Sequence, residues 1–392
     1  MPGINPLVAG IEAPPIPEAH GWAARYDGGL GPLLDMCQAV PGYAPHGELL
    51  ARVSAAALEP GGARYGLIDG DLALREAYAA EVSAVYGGEV AADQVAITAG
   101  CNQAFFLAML TLVERGDNVL LPVPWFWNHQ QSCEMLGIEA RPLPCSADAG
   151  FVPDVEVAAG LIDARTRAVV LVSPNNPTGA VYPPEVIAAF HALCVARGVT
   201  LIMDETYRDF LPEGQARAHS LFSAPGWEGH LVQLYSFSKA YCVPGFRMGA
   251  VVAGRGVVRE FVKALDCLHI CPQRPAQAGL AWAIPALTAW RAGNRAVINA
   301  RAAAVRGTFQ TLQDCRLQDW RLESLGSYFA YVRHPFAGER AAAVAERLAV
   351  ERGVVGLPGS AFGPGQEGHL RLAFANLGVE GIAGLAARVG GL

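Results

Sequence analysis

The chain has 392 residues, of which 52% are hydrophobic and 17% charged, a composition that excludes a disordered chain and gives room for a large core in two or three domain-sized units. A formal net charge of -7, with no basic run to override it, argues against a nucleic-acid partner. Mean hydropathy is +0.25, yet Gly, Pro or a charge breaks every apolar run well before the roughly 18 residues of a membrane span, so no span is predicted.

The N-terminus, MPGINPLVAGIEAPPIPEAH, is rich in Pro and lacks the early basic residues of a signal peptide, so the cytoplasm is the expected compartment. Residues 1–45 are expected to form an extended arm that joins a smaller domain or a partner subunit. From about residue 90 to 255, short apolar runs alternate with amphipathic stretches. Strands are expected at VAIT (95–98), NVLLP (118–122), IEARPLP, AVVLV (168–172), VTLIMDE (199–205), LVQLYS (231–236) and MGAVVAG (248–254). Helices fall between them, as in NQAFFLAMLTLVERG and PPEVIAAFHALCVARG. β-branched runs separated by helical periods indicate an α/β fold with a mostly parallel central sheet covered on both faces. The large domain is assigned to residues 46–285. Beyond it an Ala/Arg-rich helix over about 286–314 leads into strands at SYFAYVRH (327–334) and HLRLAFA (369–375), with a helix at about 338–352. That pattern predicts a smaller α+β domain over 286–392. No internal repeat is visible.

The nine cysteines are scattered, odd in number and set mostly in apolar patterns such as HALCVARG and CLHIC. Reduced, buried thiols are expected, and Cys267 with Cys271 around His269 reads as core rather than zinc ligation. No metal site is predicted. A GxGxxG after a strand, a P-loop and an HExxH are all missing from the sequence.

Four segments at strand ends carry the chemistry. In SFSKAYCVPGFRMG (236–249), Lys239 sits between an apolar strand and an apolar turn. A loop lysine is ordinarily a solvated charge, but a buried amine has a lowered pKa and attacks an aldehyde. Ser236, Ser238 and Arg247 nearby are donors that suit a phosphate. In SPNNPTGAVYPPE (173–185), Asn175 and Asn176 fall at the carboxyl end of a strand, where open α/β sheets bind ligands, although Asn, Pro and Gly are also simply turn residues. In DETYRDF, Asp204 is the first polar residue after an apolar strand; a buried carboxylate needs a cationic partner, and a protonated pyridine nitrogen is one. An ordinary strand-end Asp capping a turn is the alternative. In TAGCNQAFF (98–106), a glycine turn at Gly100 opens a helix whose first N–H groups favour an anion. Each turn is a weak signal alone. Together they fit one ligand.

These segments together resemble the class I/II aminotransferases of pyridoxal 5′-phosphate (PLP) fold type I, over nearly the whole chain from about Arg25 onward. The resemblance implies that Lys239 forms a Schiff base with PLP and then shuttles the Cα proton. It implies that Asp204 bonds the pyridine nitrogen and that Tyr207 and Asn176 hold the ring 3′-oxygen. Ser236, Ser238, Arg247 and the backbone of Cys101 and Asn102 would grip the phosphate. Phe126 in PVPWFWNH takes the place of the stacking aromatic, with Trp125 as the other candidate. GHLRLAFAN resembles the strand whose arginine, here Arg371, binds the substrate carboxylate, alongside Asn176 and Ala39. ARYGLIDGDLALREAY resembles the segment in which a tyrosine, here Tyr65, reaches the partner subunit's phosphate, so a homodimer is implied, with Arg274 a candidate for its interface. Two departures stand out: Cys242, where a smaller or aliphatic residue is usual, and Ala39, where a glycine is usual. The expected activity is ping-pong transamination between an amino acid and a 2-oxo acid. The alternative is another PLP reaction on an amino acid, a β-elimination lyase or an oxidase, which would use the same residues.

Overall fold

The computed structural model describes residues 3–314 and 319–392. Seven of the apolar runs form one sheet: β1 (Val95–Thr98), β2 (Asn118–Val123), β3 (Glu139–Pro144), β4 (Thr166–Val172), β5 (Thr200–Asp204), β6 (Leu231–Ser236) and β7 (Gly249–Val252). Their spatial order is β1-β7-β6-β5-β4-β2-β3. The pairs from β3 across to β6 are parallel, and β7 is antiparallel to both its neighbours, β1 and β6. Every residue of β1, β2, β6 and β7 is buried. β3, at the sheet edge, is the most exposed strand of this sheet, with Glu139, Pro142 and Pro144 exposed and Leu143 alone buried.

Alternation along the strands divides the core into two clusters. Val95, Ile97, Val169, Leu171, Leu201 and Met203 belong to one, with Leu74 and Tyr78 of the helix Leu72–Tyr86 and Phe190 of the helix Pro184–Arg197. Ala96, Val170, Ile202, Val232 and Val251 belong to the other, with Phe105 of the helix Cys101–Leu112 and Phe261 of the helix Arg255–His269. Period-2 burial on both faces is what a helix-covered sheet requires. The helix Arg274–Ala286 packs on the helices Gly47–Leu58 and Leu72–Tyr86.

The chain then enters the helix Thr288–Asp314 and a second sheet of β8 (Arg321–Gly326), β9 (Phe329–Arg333), β10 (Leu357–Pro358) and β11 (His369–Ala373). Its order is β10-β11-β9-β8, all antiparallel. The first 45 residues are not an extended arm throughout, as expected from their Pro content. Pro6 and Pro15 open the helices Pro6–Ala9 and Pro15–Ala23, in the first turn, where a missing N–H costs nothing. Leu34–Asp35 then pairs in parallel with Val354–Val355 and ties this segment to the C-terminal unit.

One cysteine expectation is overturned. Cys37, Cys101, Cys133, Cys194 and Cys242 are buried thiols, but Cys271 is half-buried and Cys267 is exposed. The buried stripe of that helix, Val258, Phe261 and Leu265, ends before Cys267, so CLHIC lies past the edge of the core. Cys315 lies outside the described residues. Among the described residues no helix is long and apolar enough to cross a membrane.

Candidate active site

The strand ends converge on one cavity of about 700 Å³ between the large sheet and the C-terminal unit. Its wall includes Ala39, Cys101, Asn102, Phe126, Asn176, Asp204, Tyr207, Ser236, Ser238, Lys239, Arg247 and Arg371; of the candidates named from sequence for the cofactor and substrate, Tyr65, Asn175 and Trp125 are not part of it. Tyr65 is 79% exposed and lies outside the cavity. Trp125, the rival to Phe126, faces a separate cavity beside Gly363 and Pro364.

Lys239 sits in a single helical turn, Phe237–Ala240, capped by the Ser236 side chain, which accepts from Ser238 N. Its Nζ donates to the carbonyl oxygen of Ala39 and lies 6.0 Å from the Tyr207 ring centre. Burial, then the charges of Arg247 and Arg371, pull its pKa from 10.5 down to about 8. The neutral, nucleophilic form is therefore a minority at pH 7 but far more populated than in an ordinary lysine.

Asp204 ends β5 with its side chain buried. Burial opposes its ionisation, but a 3.2 Å contact from His129 Nε2 and a 3.0 Å bond from Thr206 N hold its carboxyl below the ordinary value. It is a buried anion able to keep a ring nitrogen protonated. The Tyr207 phenol is pushed up by burial and stays a neutral donor.

The helix Cys101–Leu112 starts at Gly100, whose φ of 84° suits glycine. A Cβ there would fall 2.2 Å from Arg247 Nη2, and one on Gly249 would fall 2.6 Å from the Gly100 carbonyl carbon. The two glycines let β7, the helix start and Arg247 close together. Arg247 Nη1 lies 3.5 Å from Ser238 Oγ, and the free N–H groups of the first helical turn lie at the same end of the cavity. Guanidinium, hydroxyls and helix start together form an anion cradle.

Arg371, at the middle of β11, is buried. Its Nη1 donates to Asn176 Oδ1 at 3.1 Å and its Nη2 to the carbonyl of Cys37, while its Nε is buried without a partner. Burial pulls this guanidinium down to about 10, so it stays charged at neutral pH. No carboxylate among the described residues pairs with it. A buried, uncompensated cation facing a cavity is a binding site for an anion. Asn175, by contrast, is used up internally: its amide accepts from Thr178 and donates to Tyr182.

The family profile described as aminotransferase class I and II matches residues 32–389. The chain is 32% identical to the arginine–pyruvate transaminase of Pseudomonas aeruginosa, over 82% of this chain and 80% of that protein. It is 30% identical to the valine–pyruvate aminotransferase of Mycobacterium tuberculosis, over 84% and 83%. The Thermus thermophilus aspartate aminotransferase solved with maleate superimposes with a TM-score of 0.89 at 25% identity, covering 100% of this chain and 99% of that one.

The chain belongs to the class I and II aminotransferases. It is a PLP-dependent enzyme that exchanges an amino group between an amino acid and a 2-oxo acid. The sequence reading of this aminotransferase missed His129. That residue stacks on Phe105 with ring centres 3.9 Å apart and meets Phe126 edge-on at 5.3 Å. A histidine among polar residues in WNHQQ gives no signal of burial, and its partner Asp204 is distant in sequence. Thr206, Gln38 and Val40, which were not singled out, also line the cavity, as does Trp127.

Proposed function

We propose that this aminotransferase carries PLP on Lys239, grips the substrate α-carboxylate with Arg371, and works as a homodimer. The observation that carries the reading is that a depressed amine, a buried carboxylate and an unpaired buried guanidinium face one cavity. The donor set fits PLP. The cradle of Arg247, Ser236, Ser238 and the N–H groups of Cys101 and Asn102 takes the phosphate. Asp204 takes the ring nitrogen, Tyr207 and Asn176 take the 3′-oxygen, and Phe126 covers the ring face.

When bound, PLP supplies a ring that draws electrons away from the substrate Cα. Asp204, held ionised by His129 and Thr206, keeps the ring nitrogen protonated so that this withdrawal is at full strength. Arg371 fixes the α-carboxylate and so turns the Cα–H bond toward Lys239. PLP on Lys239 would replace the contact of Nζ with the Ala39 carbonyl, and an α-carboxylate at Arg371 would replace that with the Cys37 carbonyl. Once the substrate amine has taken the place of Lys239 on PLP, the freed Nζ would take the proton from Cα as a general base and hold it for return.

A single face supports the dimer. Leu58, Tyr65, Leu67, Leu268 and Ile270 are 49–85% exposed. The two segments that bear them are joined by Gly66 N to Cys271 Sγ at 3.4 Å and by Arg274 Nη1 to Gly61 O at 2.8 Å. Contiguous apolar exposure of this kind marks an interface. Tyr65 on that face would reach the partner's phosphate cradle. The cytoplasm is the proposed compartment, in keeping with eight free thiols among the described residues.

Adding one amino acid to the holoenzyme without an oxo acid tests the reaction. One equivalent of oxo acid should form, with loss of the aldehyde absorbance, and then the reaction should stop. Continuous turnover without an oxo acid would contradict it.

A further inference from the structure

The lining of the cavity also carries information on the substrate side chain. Four charged residues line it among those described: Asp204, Lys239, Arg247 and Arg371. Each has a task at the cofactor or at the α-carboxylate. Asp204 is held by His129 and Thr206. Arg247 is held at the phosphate end by Ser238 Oγ, Pro244 O and Ala99 O. Arg371 takes the α-carboxylate, and Lys239 serves the Cα proton. No charge of this chain's own lining is left over for a substrate side chain.

The rest of the wall is uncharged: Ile16, Gln38, Val40, Trp127 and Asn128, together with Val172, Thr206, Pro244 and Gly245. Trp127 is buried, and its ring centre is 5.6 Å from the Arg371 guanidinium carbon, so it flanks the place where the α-carboxylate sits. It is braced by Phe126 at 4.9 Å and Phe362 at 5.4 Å. Ile16 arrives on the helix Pro15–Ala23, and Val40 follows the segment whose carbonyls meet Arg371 and Lys239. A side chain attached to a Cα held between Arg371 and Lys239 therefore meets an indole, two aliphatic groups and two neutral amides. A second carboxylate, an ammonium or a guanidinium would be desolvated there without a counter-charge.

We propose that the enzyme selects amino acids with uncharged apolar or aromatic side chains and rejects dicarboxylic and basic ones. The names of its relatives, which include arginine–pyruvate, aspartate/prephenate and valine–pyruvate enzymes, span all three classes and do not decide the matter. The inference rests on the transamination reading.

The test is a single-turnover panel on the wild-type holoenzyme, following loss of the aldehyde absorbance with leucine, methionine, phenylalanine, aspartate, glutamate, lysine and arginine in turn. Conversion by the first three should exceed that by the four charged amino acids by about 100-fold or more in rate over concentration. Any charged amino acid within about tenfold of the best apolar one would overturn the proposal while leaving transamination standing, and would mean that a charge from outside this lining meets the side chain. Conversion by no amino acid at all would overturn the transamination reading, and this proposal with it.

Discussion

Lys239 is a cation by default, and its surroundings decide how much of the time it remains one. With a folded pKa of about 8 against an ordinary 10.5, the native apoprotein bears the full cost of a buried ammonium below pH 8. Between 8 and 10.5 the unfolded chain holds the proton that the native chain has lost, so stability rises with pH through that window. Replacing Lys239 by Met should therefore stabilise the apoprotein below pH 8, with the difference fading by about pH 10.5, as read from urea midpoints of the two proteins. Arg371 obeys a different logic, because its planar fork is proposed to take the substrate carboxylate. Arg371→Lys keeps the charge but loses the fork, and kcat/KM should fall about 100-fold, mostly in KM, in steady-state assays. Both residues were legible from sequence because each sits in a short apolar strand or at its end, a setting that makes a charge conspicuous. His129 was not legible: its meaning comes from Asp204, and only the fold brings them to 3.2 Å.

At the scale of elements, the site is the row of carboxyl ends of β4, β5 and β6 together with the helix that follows β1. The strands were readable because two buried faces leave continuous apolar runs, as in AVVLV and LVQLYS. The reversal of β7 was not, since an all-buried strand reads the same in either direction. That reversal matters, because it runs Gly249 past Gly100 and so lets the anion cradle close. Gly249→Ala places a methyl 2.6 Å from backbone that cannot yield easily. It should cost about 1–3 kcal/mol of stability and weaken PLP retention, measured by denaturant unfolding and by dialysis of the holoenzyme. The Pro-rich start misled in the opposite way: two of its prolines open helices instead of extending the chain.

The whole molecule is a large sheet unit and a smaller one that close on a shared cavity, and the proposed dimer completes the cradle with Tyr65. Composition and motif order were enough to indicate both units. The exposure of Cys267, Leu268 and Ile270 was hidden, because an apolar run that ends at the surface reads the same as one that ends in the core. If Tyr65 acts across the interface, mixing Lys239→Ala subunits with Tyr65→Ala subunits should create one fully active site per hybrid dimer. Action within one chain would leave the mixture no more active than its Tyr65→Ala component. Everything else depends on the bond at Lys239, which can be located directly by reducing the holoenzyme with borohydride and mapping its peptides by mass. The pyridoxyl group should be found on the peptide containing Lys239, and the Lys239→Ala protein should carry none. A label on another lysine, or an unlabelled wild-type protein after incubation with PLP, would contradict the assignment of this cavity as the active site.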